Sequence, residues 1–396
     1  MSDATPLAGL RVLDLTRVLA GPWATQLLAD LGAEVIKLER PGTGDDTRSW
    51  GPPFAALPDG SRGESAYFLS ANRGKKSVEA DLSTSRGRDL ARDLARQSDI
   101  LIENFRVGGT NRMGLDYDTL SAENSGLIYC SITGFGQTGP HRHRPGYDLL
   151  VQAMGGLMSV TGESEGRPMK AGVALADIMT GLYATSAILA AVHERARSGR
   201  GDYIDLSLLD VQIATLANQA QNYLVSGTAP GRSGNVHPNI APYQDFQTAD
   251  GAMVVAVGND SQFQRLCDGL GAPDLATDPR FATNALRVGN QKALEDALAP
   301  VLRNGTTRTW LAILDTHGVP AAAINDIAAV FSDPQIEARG LLTGGDDNLP
   351  LVACPIRFRR MALSAAIRPP NLGEHNGLYR TSGVGSDIQQ EKLHPT

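Results

Sequence analysis

Only three cysteines occur in 396 residues. Cys130, Cys267 and Cys354 lie far apart with no CxxC spacing, which argues against a disulfide framework or structural zinc site and points to a reducing, cytoplasmic compartment. Basic charge is not in excess either: the net charge of −7 gives no support to nucleic-acid or anionic-membrane binding, so an anionic ligand must be held locally. The N-terminal MSDATPLAG lacks a basic region followed by an apolar run, and no stretch is expected to reach the roughly 18 to 20 apolar residues of a membrane span. No HExxH, GxSxG or GxxxxGK[ST] occurs, and the seven histidines form no metal-like cluster beyond His141 and His143. A zinc hydrolase and a P-loop nucleotidase are thereby set aside.

What is present is the profile of a folded α/β chain, 42% hydrophobic and 20% charged, with 43 glycines that imply many tight turns. RVLDLT (11–16) reads as a buried strand. Pro22 lies at a helix start, WATQLLADL supplies the helix, Gly32 stops it, and EVIKLER (34–40) is a second strand, giving a βαβ unit. The pattern recurs in RGRDLARDLARQ followed by DILIENF (99–105), and again in GLIYCSIT before Gly134, so a parallel, Rossmann-like sheet is expected. A long apolar helix is expected from Asp177 through Ser198, followed by the strand-like DYIDLSLL. A Gly-, Pro-, Asn- and Ser-rich stretch at 226–243 then marks a functional loop or a boundary. The expected organisation is a large Rossmann-like domain at 1–200 completed by 331–396, a linker at 201–225, and a small α+β domain at 226–330.

GFGQTG (134–139) matches the dinucleotide pattern GxGxxG, but the following PHRHRPG cannot begin the required helix, so the glycines are read as a tight loop beside a ligand. Basic residues gather near predicted strand ends: Arg40, then Arg73, Lys75 and Lys76, then Arg106 and Arg112, then Arg142 and Arg144. They are read either as a solvated surface or as a polyphosphate site. Asp177 is a lone acid among apolar neighbours in KAGVALADIMTGLYA. It is read either as an N-cap or as a desolvated nucleophile.

Taken together, GLRVLDLTRVLAGP, ADLGAEVIKLERPGTGDDTR, NRGKKSVEADL, ILIENFRVGG with NRMGLDY, YCSITGFGQTGP, RPGYDLLVQAMGG and GVALADIMTGLYA resemble, in order, the blocks of the class III (CaiB/BaiF-type) CoA-transferases. The resemblance runs from Leu7 to His375 and is closest to the succinyl-CoA:dicarboxylate members. It implies CoA transfer from an acyl-CoA to a carboxylic acid through an aspartyl-CoA thioester and mixed anhydrides on Asp177, with coenzyme A thioester as substrate and no permanently bound cofactor or metal. It also implies CoA contacts at Arg40, Asn104, Phe105 and Arg112, with Arg73 and Lys75 in the same basic cluster, and an interlocked homodimer. The family includes acyl-CoA racemases, which place a histidine in a GHD context where this chain has Gly146, Tyr147 and Asp148. A phenol is a poor base near neutral pH, which favours transfer and leaves Tyr147 to orient substrate. A racemase and a non-catalytic CoA binder stay open as alternatives. For the second carboxylate of a dicarboxylic acceptor, Arg17, Arg48 and His237 are candidates by position. Leu19, where the formyl-CoA:oxalate members carry glutamine, and the lack of a tetraglycine loop in 227–238 speak against oxalate.

Overall fold

A computed structural model of the chain describes residues 5–56, 60–344, 349–364 and 367–379. They fall into two units, one drawn from 1–151, 174–215 and 340–396 and the other from 152–173 and 216–339.

The first unit is built on six parallel strands: β1 (Arg11–Asp14), β2 (Glu34–Glu39), β3 (Lys75–Glu79), β4 (Ile100–Glu103), β5 (Ile128–Thr133) and β6 (Tyr203–Ser207). Their order across the sheet is β3-β2-β1-β4-β5-β6, with every neighbouring pair parallel. This is the doubly wound arrangement, whose strand order reverses between β1 and β4. Side chains alternate along the strands, and both faces are buried. Val12, Ile100, Ile102 and Ile128 join one core with Ala24 and Leu28 of helix α1 (Ala20–Asp30). Leu13, Ile36, Leu101 and Tyr129 join the other with Ala91, Leu94 and Ala95 of α2 (Ser85–Arg96). The short α3 (Asp148–Met154) precedes the long α4 (Leu175–Ser198), which buries Ala184 and Ile188 in the α1 core and ends at Gly199 in the left-handed conformation.

Three expectations change. α4 begins at Leu175, two residues before Asp177, and it is long and apolar enough to cross a membrane by length and composition, which the sequence reading did not foresee. Its Ala176, Thr180, Ala184 and Ile188 form a buried face. Residues 203–207 are not a linker: YIDLS pairs with β5 as the sixth strand, because its apolar positions match a buried neighbour. The segment 152–173 belongs to the second unit, so the large unit is interrupted before α4, and its C-terminal part starts at 340 instead of 331. That returning segment is tied to β3, where the Ser77 hydroxyl accepts from Gly373 N–H and the Ser77 carbonyl accepts from His375 N–H.

The second unit holds a three-stranded antiparallel sheet, β7 (Tyr243–Gln247), β8 (Ala252–Ala256) and β9 (Ala321–Ala323), in the order β9-β8-β7. Phe246, Met253 and Val255 pack there with Phe263, Leu294, Leu298 and Leu314 from the intervening helices. The buried Arg287 donates to the carbonyls of Ala241 and Phe281.

Candidate active site

In an open parallel sheet, ligands bind outside the carboxyl ends of the strands where the strand order reverses. A cavity of about 540 Å³ lies there, between the loops that leave β1 and β4. Arg17, Val18 and Leu19 line it from the β1 loop, and Asn104, Phe105, Arg106 and Arg112 from the segment after β4. Trp50, then Arg142, His143, Arg144 and Tyr147, then Asp177 complete much of the wall. Five arginines face it against two acids, Asp46 and Asp177, which suits an anionic ligand.

Asp177 reaches this wall because two close backbone approaches bring its helix in. At Gly181, one turn beyond Asp177, a Cβ would lie 2.8 Å from the Ala20 carbonyl and 3.1 Å from the Trp23 side chain, so only glycine lets α4 press against the start of α1. Gly134 and Gly146 cross with almost no clearance, each one's Cβ position falling 2.4 to 2.5 Å from the other's Cα. The loop after β5 is thereby folded back to present Tyr147 and Asp148. No helix follows Gly139, which confirms that GFGQTG is a loop and not a dinucleotide turn.

Asp177 is the third residue of α4 and does not cap it. The Asp148 carboxylate does this from outside the helix, accepting from Ala176 N–H at 2.9 Å and, more weakly, from Asp177 N–H at 3.4 Å. The Asp177 side chain is thus released from capping. It is 8% exposed, and among the described residues it makes no hydrogen bond or ion pair. Burial, with the like charge of Asp148 beside it, raises its pKa to about 7. Tyr67 lies close enough to feel both acids; its own burial, and then Asp177 and Asp148, push its phenol up to about 12. Glu103, at the end of β4, accepts from Phe105 N–H at 2.7 Å, and burial lifts its pKa to about 7.

Of the residues singled out by sequence, the structure gathers Asp177, Asn104, Phe105, Arg112 and Tyr147 around one cavity, with Tyr147 61% exposed. Asn104 is also a brace: its amide accepts from Arg17 N–H at 3.0 Å and donates to the Arg17 carbonyl at 2.8 Å. Arg40 is exposed and lies outside the cavity lining. Two assignments must be withdrawn. Arg73 is buried in an ion pair with Asp30 and donates to the Val352 carbonyl at 2.9 Å. Lys75 is buried against Asp14, the Pro22 carbonyl and Asn72. Both are held by partners within the fold, and neither lines the cavity. Arg48 is likewise consumed, by Glu39 and Glu64 and by the Phe68 ring 3.7 Å away. Of the three candidates for a distal carboxylate, only Arg17 lines the cavity, paired with Asp46 at 3.0 Å; His237 belongs to the second unit and packs on Tyr243. The sequence reading gave no role to Trp50 or Asp148; the signal for Asp148 was an acid directly after the Gly146–Tyr147 turn.

A buried carboxylate, unpartnered among the described residues, lines an arginine-rich cleft at the switch point of a doubly wound sheet, an arrangement suited to a polyanionic ligand. The chain matches the model of "CoA-transferase family III" over residues 7–376, and it belongs to that family. It is 52% identical to a succinate–glutarate CoA-transferase of Agrobacterium fabrum, the match covering 93% of this chain and 94% of that one. Identity to the succinyl-CoA:glutarate CoA-transferase of Mus musculus is 45%, over 93% and 84%. The crystal structure of a CaiB/BaiF family protein from Brucella suis superposes with a TM-score of 0.86 at 51% identity, covering 95% of this chain and 98% of that one. The chain is therefore an acyl-CoA:carboxylate CoA-transferase of α/β architecture.

Proposed function

We propose that this enzyme transfers CoA from succinyl-CoA to a dicarboxylic acid, glutarate or a close analogue, by way of covalent intermediates on Asp177. The observation that carries the reading is the carboxylate itself, buried, unpaired and turned to the cation-lined cavity. The relatives named for succinate or succinyl-CoA and glutarate supply the substrate class.

An Asp177 oxygen attacks the thioester carbonyl, the C–S bond breaks, and a mixed anhydride and CoA thiolate result. The thiolate attacks the Asp177 carbonyl carbon, releasing succinate and leaving an aspartyl-CoA thioester. The acceptor carboxylate displaces the thiolate to form a second anhydride. Attack of the thiolate on the acceptor carbonyl then gives the new acyl-CoA and restores the carboxylate. Every link exchanged is an activated acyl link, so the thioester's free energy is retained. Dry surroundings favour the attack, because water does not have to be stripped from Asp177 when substrate binds. The arginines after β4 and in 142–144 hold the CoA phosphates, Tyr147 orients the acyl group, and Arg17 meets the acceptor's distal carboxylate.

The scheme moves one oxygen per turnover from acceptor to enzyme to donor acid. With an acceptor carrying oxygen-18 in its carboxylates, mass spectrometry should find label in the released succinate. Unlabelled succinate through many turnovers would contradict the scheme, and exchange of an α-proton of a 2-methylacyl-CoA with deuterated solvent would point to racemisation. We also infer a homodimer, supported by the exposed apolar side chains Leu182, Tyr183 and Ile213 on the helices of the first unit; light scattering at the monomer mass would refute it.

A further inference from the structure

Val18 holds φ at +73°, a left-handed conformation that a β-branched residue adopts only when its surroundings enforce it. It lines the cavity between Arg17 and Leu19, in the same wall as Asp177. Val18 N–H donates to the Asp45 carboxylate at 3.2 Å. Asp45 is ion-paired at 2.9 Å with Lys37, and both side chains are wholly buried. The same Lys37 ammonium donates to the Thr16 carbonyl at 2.8 Å, so one buried pair grips the loop on either side of Arg17. Gly21 completes the arrangement, since a Cβ there would fall 2.4 Å from the Thr16 side chain.

We propose that the Lys37–Asp45 pair is a positioning device that holds Val18 in its left-handed conformation and so sets Arg17 and the 18–19 backbone against the acyl end of the cavity. Neither residue touches substrate. A pair of charges buried only for stability would be no better than an apolar pair of similar volume, since desolvation offsets the attraction. Here each partner spends its second contact on the backbone of one three-residue segment. The oxygen that accepts from Val18, Oδ1, also accepts from the N–H and hydroxyl of Thr47, while Oδ2 faces the Lys37 ammonium. Lys37 remains charged; burial would lower its pKa, but Asp45, Asp14 and Glu39 outweigh this and hold it raised.

This inference rests on the transfer reading for its catalytic readout, and a second readout is independent of it. The variant is the apolar swap Lys37→Met with Asp45→Leu, which removes both tethers without leaving an unpaired charge. It is made with and without Val18→Gly, because glycine adopts φ near +73° without strain. The swap should lower kcat per folded molecule by tenfold or more, with KM for succinyl-CoA changed by less than threefold. In the Val18→Gly background the same swap should cost less than threefold. Hydrogen exchange of the peptide covering 15–19 should accelerate with the swap in both backgrounds, because the N–H of residue 18 loses its acceptor. An equal loss of kcat in both backgrounds, or unchanged exchange at 15–19, would overturn the proposal. If the double swap does not fold, Lys37→Gln with Asp45→Leu, which also removes the Val18 tether without an unpaired charge, goes through the same cycle. The conservative Lys37→Gln with Asp45→Asn, which keeps an acceptor for Val18 N–H, should retain most of kcat; a loss as large as that of the apolar swap would count against positioning. Wild-type protein without transfer activity would instead refute the proposed function, and the exchange measurement would still decide whether the pair holds the loop.

Discussion

Two sets of buried charges stand close to the same strand ends, and they differ in one respect. Under β1, β2 and β3, Asp14, Lys37, Glu39, Asp45, Arg48 and Lys75 are all buried and all matched, acid to base. At the cavity wall Asp177 is nearly as buried and is matched to nothing, its close charged neighbour being another acid. The cost of desolvation is similar in kind for both sets. In the first it is offset by partners already in the fold, and the acids are driven down: although burial alone would raise Asp14, Lys75 and Lys37 hold its pKa at about 2. In the second the cost is left standing, and the cations that could offset it are the exposed arginines across the cleft, available to an incoming anion. The matched charges hold the fold together, whereas the unmatched Asp177 is the one the proposed function uses.

Lys75 is the matched charge whose loss should cost the fold most. Lys75→Met leaves Asp14 buried beside one base instead of two, and should cost about 3–5 kcal/mol, read as a fall in the denaturant midpoint; a loss below about 1 kcal/mol would remove the distinction between the two sets. Asp177→Asn should do the opposite. The folded pKa of Asp177 is raised above its unfolded value, so the stability it contributes is present at low pH and is lost as pH rises through about 7. The uncharged variant should therefore match wild type near pH 4 and exceed it at pH 8, by an amount on the order of a few kcal/mol. Thermal melts of both proteins across that range test this, and a gap that shrinks with rising pH would be the wrong sign. Asp148→Asn keeps an oxygen for Ala176 N–H and removes the like charge, so the Asp177 titration, followed by carboxyl NMR, should move to lower pH. The least effect belongs to an exposed pair: Arg96→Ala, which frees Glu123 and Asp93 at the surface, should leave the urea midpoint indistinguishable from wild type.

The strands were legible in the sequence because RVLD, EVIKLE, ILIE and IYCSIT are covered on both faces and are therefore rich in Val, Leu and Ile even where a paired charge interrupts them. The place of the cleft followed from them, at the ends of β1 and β4. Asp177 stood out as a lone acid, but the spacing left capping and nucleophilic roles open. The choice depended on Asp148, which reaches the α4 start from 28 residues upstream. Long-range pairing also defeated the reading of the basic cluster. Arg73 meets Asp30 across 43 residues and Lys75 meets Asp14 across 61, and nothing local marks them off from Arg112, which has no such mate among the described residues and lines the cavity. The break at 152–173 was hidden for the same reason, since membership of the second unit is decided by contacts with residues beyond 216.

The most direct test mixes purified enzyme with succinyl-CoA in the absence of acceptor, treats it with hydroxylamine or borohydride, and maps the modified peptide by mass spectrometry. The hydroxamate or the alcohol should be found on Asp177 and be absent from Asp177→Asn. An unmodified Asp177 in protein shown to turn over, or an adduct on another residue, would contradict the claim that this unpaired carboxylate carries the transferred group.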